Sequence, residues 1–190
     1  MEPRVILLLS GKRKSGKDYI AQLLSHQLHP LLTVCHLSKP LKQQYAQDHG
    51  LDLEQLLSSS RYKENHRLPM VVWGEGIRNC CPGFFCQQAV KDASSPVWLV
   101  ADCRRKSDVH FFLSHYSLSQ VFTVRIESPE SVRKNRGWQF VAEVDEAETE
   151  CGLDEGVEWD FLIVNGSDRA LMEGHVRAVV AKVREIMQSD

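Results

Sequence analysis

The chain has 190 residues, enough for one α/β domain with a sizeable core, whereas two domains would each be marginally small. Hydrophobic residues make 43% of it and charged residues 25%, which excludes a disordered chain; the longest apolar runs, such as Val5 to Leu9, fall far below the roughly 20 residues that span a bilayer, so no membrane partner is expected. Net charge is −2, but 13 of 25 acids fall from Glu143 onward, so the first three quarters carries the cation surplus and calls for an anionic ligand; a pI near 6.4 and the lack of a basic helix interleaved with aromatics argue against nucleic acid.

Val5 to Leu9 reads as a parallel strand buried on both faces, followed by a polar, glycine-bounded turn from Gly11 to Gly16. Apolar Ile20, Leu23, Leu24 and Leu28 then repeat at helical spacing from Lys17 on. Thr33 to Leu37 is a second strand, after which Ser38 and Pro40 start a helix that Gly50 stops, with Lys42 in its first turn. Residues 51 to 92 hold short helical patterns broken by Gly and Pro, a helical insertion beside the sheet. Val97 to Ala101, Val121 to Ile126 and Phe161 to Val164 are the third, fourth and fifth strands. Pro129 to Arg136 begins as a helix, Gly137 to Glu150 reads as a mobile lid, and Leu171, Val176, Val179, Val180, Val183 and Ile186 mark a packed terminal helix.

Strands alternating with helices predict a parallel five-stranded sheet with helices on both faces, whose ligands bind beyond the carboxyl ends of the strands. Polar residues cluster at those ends: Ser10 to Lys17, Ser38 to Lys42, Asp102 to Arg105, and Asn165. The six cysteines include no Cys-x-x-Cys pair, and no Lys/Arg-led signal peptide follows Met1, so reduced thiols and a cytoplasmic location are expected.

Gly11-Lys12-Arg13-Lys14-Ser15-Gly16-Lys17-Asp18 matches G-x-x-x-x-G-K between a strand and a helix, where backbone N–H groups and the helix N-terminus hold phosphate oxygens and Lys17 reaches the β and γ phosphates. Asp18 stands where a Ser or Thr usually touches Mg²⁺. Lys12, Arg13 and Lys14 exceed what one set of phosphates needs and point to two polyanions meeting there. Asp102 ends the third strand as a Mg²⁺ carboxylate or a helix cap, and Arg104-Arg105 supply forked donors for phosphate or carboxylate.

Arg136 is the lid arginine that would close on the transferring phosphoryl group, while Arg133 is expected to pair with Glu130 across one turn. The acids from Glu143 to Glu150 read as a solvated lid ahead of a metal site. No H-E-x-x-H or G-x-S-x-G offers a rival chemistry. These residues describe a P-loop kinase that uses ATP and Mg²⁺ on a small phosphorylated acceptor; on residues alone, mevalonate 5-phosphate, a nucleoside monophosphate and dephospho-coenzyme A stay open, as does a nucleotide-binding module without catalysis.

Over nearly its whole length the chain resembles animal-type phosphomevalonate kinase. The likeness rests on Ser10 to Asp18, Pro40-Leu-Lys42, Gln44 to Gln47, Trp73-Gly-Glu75, Pro82 to Cys86, Trp98 to Val100, Asp102 with Arg104-Arg105, Arg136-Gly-Trp138, and Glu150 to Asp154. It implies one nucleoside-monophosphate-kinase-like domain, with an acceptor-binding helical region at 38–92 and a lid at 129–155, that converts ATP and mevalonate 5-phosphate to ADP and mevalonate 5-diphosphate in isoprenoid and sterol synthesis. A monomer is expected.

By position, Gly11 to Asp18 and Arg136 would bind ATP, with Gly166 and His175 on the nucleotide side. Lys42, Arg78, Arg104, Arg105 and Arg125 would serve the acceptor, and Asn165 would lie beside the bound ligands. Transfer itself would fall to Lys14, Lys17, Arg104, Arg105 and Arg136. His175 stands where the family more often has Gln, and Gln87 where it more often has a basic residue.

Overall fold

A computed structural model describes residues 2–58 and 61–189, which form two compact units, 1–35 with 93–190 and 36–92. The first unit holds strands β1 (Val5–Ser10), β2 (Leu32–Cys35), β3 (Val97–Val100), β4 (Val121–Glu127) and β5 (Phe161–Val164) in one parallel sheet of order β2-β3-β1-β4-β5. Its helices are α1 (Lys17–Leu28), α6 (Lys106–His115), α7 (Glu130–Asn135), α8 (Ala142–Asp145), α9 (Glu148–Cys151) and α10 (Arg169–Gln188). The second unit carries α2 (Ser38–His49), α3 (Leu53–Leu57), α4 (Arg61–Cys80) and α5 (Phe84–Val90).

All six residues of β1 are buried, because a central parallel strand is covered on both faces. Val5, Leu7 and Leu9 turn to one face and join Leu24 and Leu28 of α1 and Val176, Val179, Val180 and Val183 of α10 in the main core. Ile6 and Leu8 turn to the other, where Trp98 of β3 meets Tyr116 at the end of α6 with rings 5.7 Å apart. The second strand stops at Cys35 and not at Leu37, since its partner β3 ends opposite it at Val100; Leu37 leads instead into α2.

The helical unit has a small core of its own, in which Tyr45, Ala46, Leu56 and Met70 pack with Leu41 and Trp73. Gly50 ends α2 at φ 62°, the left-handed cap that glycine favours. The sequence suggests breaks at Pro69, Gly74 and Gly76, yet α4 runs unbroken for 20 residues. Gly74 acts there as a packing residue: a Cβ would come within 2.8 Å of Leu41 Cδ1.

Cys35, Cys86 and Cys103 are buried and Cys80 and Cys81 exposed, all as free thiols. Among the described residues, no helix is long and apolar enough to cross a membrane.

Candidate active site

β1 delivers the chain to the carboxyl edge of the sheet, where Gly11 (φ 159°), Lys14 (φ 60°) and Gly16 (φ 91°) turn it around an open loop before α1. Lys14 holds a left-handed conformation that costs a non-glycine residue about 1 kcal/mol or more. Gly16 could carry no side chain, because a Cβ would lie 2.2 Å from Asn165 Nδ2. Asn165, just after β5, donates from that nitrogen to the Ser15 carbonyl at 2.8 Å. The Ser15 hydroxyl is buried with no hydrogen-bond partner among the described residues, and it lines a cavity of about 350 Å³ that Lys12, Arg125, Arg133 and residues 127–129 also border.

Lys17 is buried and donates to the carbonyls of Gly11 and, at 3.1 Å, Lys12. Burial, and next the Arg104 charge, push its ammonium down to about 8, against the opposing pull of Glu150, Asp18 and Asp102. Both candidate Mg²⁺ carboxylates therefore act on Lys17. Asp18 is exposed in the first turn of α1, a favourable place for an acid at a helix N-terminus. Asp102 follows β3, and its charge also reinforces the burial that pushes the Cys35 thiol up to about 11.

Arg104 and Arg105 lead into α6 with both backbone N–H groups held by Asp108 Oδ2, at 3.0 and 3.1 Å. Arg105 and Arg125 are buried. Arg125 projects from β4, donates to Ser10 Oγ at 3.2 Å and stacks 5.5 Å over Trp159.

The segment after β4 folds down onto the loop. Arg136 donates from Nη1 to the Ser15 and Lys14 carbonyls, at 3.1 and 3.3 Å, and from Nη2 to Asn165 Oδ1 at 3.1 Å. Arg133 donates to the Arg13 carbonyl at 2.9 Å and stacks 4.1 Å over Trp138, while Lys134 takes the pairing with Glu130 expected of Arg133.

The acids of 145–154 differ most from expectation. The run is solvated only in part: Glu143, Glu146 and Glu148 are exposed, but Glu150 is 8% exposed, accepting from the Arg13 N–H at 2.7 Å and ion-pairing with Arg104. Asp154 bridges Lys12 Nζ at 2.6 Å and Arg125 Nη2 at 2.5 Å. Asp145 pairs with Arg13 at 3.0 Å and accepts from Trp138 Nε1 at 2.9 Å. Burial alone would raise the Asp145 carboxyl, but Trp138, the Val141 N–H and Arg13 hold it below the usual carboxylate range. Charge attraction is the reason; the sequence shows acids and cations in separate stretches and not that they meet.

Thus the loop, Arg104, Arg125 and Arg136 converge at one sheet edge, with Arg105 next to Arg104. Asn165 is a brace between the loop and Arg136 in this structure, and His175 accepts from the Val164 N–H at 3.1 Å, which ties α10 to the end of β5. Gly166 lies beside Pro129, within 3.8 Å of its Cδ for a built Cβ. Lys42 and Arg78 belong to the helical unit, where Arg78 is buried with its guanidinium 4.6 Å over Phe85; Gln87 lies on α5. Asp108, Asp145, Glu150 and Asp154 are the members that sequence reasoning missed or placed in solvent. An acid three or four residues after Arg104-Arg105 is the one signal that would have found Asp108.

A central strand ending in a glycine-bounded cationic loop, in a sheet of this strand order and with an arginine of the segment after β4 folded onto that loop, defines a P-loop kinase. Crystal structures of a gluconokinase from Sinorhizobium meliloti 1021 and of TT1252 from Thermus thermophilus share that fold. Each has a TM-score of 0.53, at 13% and 15% identity; coverage is 100% of both chains for the first, and 96% of this chain and 98% of that chain for the second. The family model described as phosphomevalonate kinase matches residues 9–118, and a Drosophila melanogaster phosphomevalonate kinase is 38% identical over 168 residues, 86% of this chain and 89% of that protein. The chain belongs to the phosphomevalonate kinase family.

Proposed function

We propose that this chain transfers the γ-phosphoryl group of ATP to the phosphate of mevalonate 5-phosphate, releasing ADP and mevalonate 5-diphosphate, as a cytosolic step of isoprenoid and sterol synthesis. One P–O bond to the β-phosphate bridge breaks and one to an acceptor phosphate oxygen forms, so the site must hold two polyanions and neutralise charge between them. The observation that carries the reading is that one carboxylate, Glu150, spans a loop amide and Arg104, which puts loop donors and strand-edge arginines within reach of one anion.

In this reading the amides of 13–17, with Lys12, Arg13 and Lys14, bind ATP phosphates, and Lys17 supplies charge where the leaving oxygens become negative. Arg136 closes over them from the lid. Arg104, Arg105 and Arg125 take the acceptor's phosphate and carboxylate, with Lys42 and Arg78 of the helical unit. Asp108 is a positioning residue that sets the backbone of the arginine pair.

The donor set fits Mg²⁺. The Asp18 and Asp102 charges both act on Lys17, which brings two carboxylates to the loop, and Mg²⁺ takes one or two carboxylates and otherwise water and phosphate oxygens. Asp102, with Asp18, would hold it, and when bound it would neutralise charge on the transferring phosphates.

The test is an acceptor panel with purified protein, ATP and Mg²⁺. ADP release should depend on mevalonate 5-phosphate, and preferential turnover of a nucleoside monophosphate or dephospho-coenzyme A would overturn the assignment.

A further inference from the structure

We propose that Glu150 and Asp154 set the affinity of this site for phosphate: their carboxylates hold the donors that ligand phosphates need, and bound ligands must displace them. The proposal rests on the phosphate-transfer reading above. It starts from what each carboxylate touches. Glu150 accepts from the Arg13 N–H, an amide of the loop, and its second oxygen pairs with Arg104. Asp154 joins Lys12 of the loop to Arg125 of β4. Carboxylate and phosphate oxygens satisfy guanidinium, ammonium and amide donors in the same way, so each acid takes a place that an oxyanion of a ligand would take.

Three features separate displacement from a permanent clamp. Lys17, the cation closest to the chemistry, donates to the carbonyls of Gly11 and Lys12 and makes no hydrogen bond to either acid, so no acid completes the loop in the way a structural partner would. The acids ride on a segment with two four-residue helices, Glu150 in α9 and Asp154 three residues beyond it, and helices so short add little hydrogen-bonded structure of their own to resist movement. Gly152 lets that segment approach: a Cβ there would lie 3.2 Å from the Arg104 carbonyl and 2.5 Å from that of Glu148. Asp145 is different. Besides pairing with Arg13, it accepts from Trp138 and the Val141 N–H of its own segment, and so is tied to the local fold there.

The charge-removing, shape-keeping variants Glu150→Gln and Asp154→Asn test this, with inorganic pyrophosphate as the probe in calorimetry on the full chain. A competitor and a clamp predict opposite signs. Each variant should bind pyrophosphate about tenfold more tightly than the parent and lower KM for ATP or acceptor. Weaker or unchanged pyrophosphate binding in both would overturn the proposal. Asp154→Asn lies on a partly exposed side chain and covers the case in which Glu150→Gln does not fold. Pyrophosphate binding does not depend on which acceptor is used, so a failed acceptor panel and a failed displacement proposal are distinguishable.

Discussion

Lys17 sits where the cost of burying a charge and the need for that charge oppose each other. Burial pushes its ammonium down from the ordinary 10.5 to about 8 in the folded chain. The unfolded chain therefore binds more protons between those values, and stability should rise with pH across that window as the buried charge is discharged. Below pH 8 the full cost, on the order of 3 kcal/mol as an upper bound, is present. Lys17→Met should accordingly raise the urea midpoint at pH 7 and flatten the rise between pH 8 and 10.5. It should also lower turnover by several orders of magnitude, since a transition-state cation contributes about 3 to 5 kcal/mol. A near-normal rate would remove Lys17 from the chemistry. Parent ATP affinity should fall above pH 8 as the ammonium loses its proton, which fluorescence titration across pH would show. Asn165 makes a second prediction: Asn165→Ala loses the bonds to Ser15 and Arg136, about 1 to 3 kcal/mol of bracing, and should raise KM for ATP while KM for the acceptor stays within twofold.

At the scale of elements, the strands and main helices were legible because each has a clean period. Val5 to Leu9 has no polar residue to interrupt a doubly buried strand, and the valines of α10 recur at helical spacing. Leu24 of α1 is fully buried between sheet and α10, so Leu24→Ala should cost about 2 to 5 kcal/mol in urea unfolding. A smaller loss would mean that the core closes around the gap. The continuity of α4 was not legible: Pro69 and two glycines read locally as breaks, and of these Gly74 is held by tertiary packing against Leu41. The segment from 129 to 155 was legible as a stretch without a strand but not as a structure. Its two four-residue helices are too brief to show a period, and its acids acquire partners from the loop after β1, the turn after β3 and β4 itself that lie 29 to 142 positions away in the chain.

For the whole molecule, the candidate residues belong to two units, each with its own set. The phosphate loop, Arg104, Arg105, Arg125 and Arg136 all belong to the sheet unit, and Lys42 and Arg78 to the helical one. If the helical unit serves the acceptor alone, Arg78→Met should raise KM for mevalonate 5-phosphate at least tenfold and leave KM for ATP unchanged; equal effects on both would refute that division. The convergence of the first set was anticipated by the rule that ligands bind at strand carboxyl ends, and it needed no knowledge of side-chain geometry. What that rule does not reach is how cations so close together tolerate one another, which here depends on interleaved carboxylates.

Trp138 lies against the Arg133 guanidinium, donates to Asp145 and is 7% exposed. An indole in that setting doubles as an optical gauge. Water reaching it would shift its emission to longer wavelength, so a variant with phenylalanine at Trp73, Trp98 and Trp159 would report on the lid segment by intrinsic fluorescence, without an attached dye.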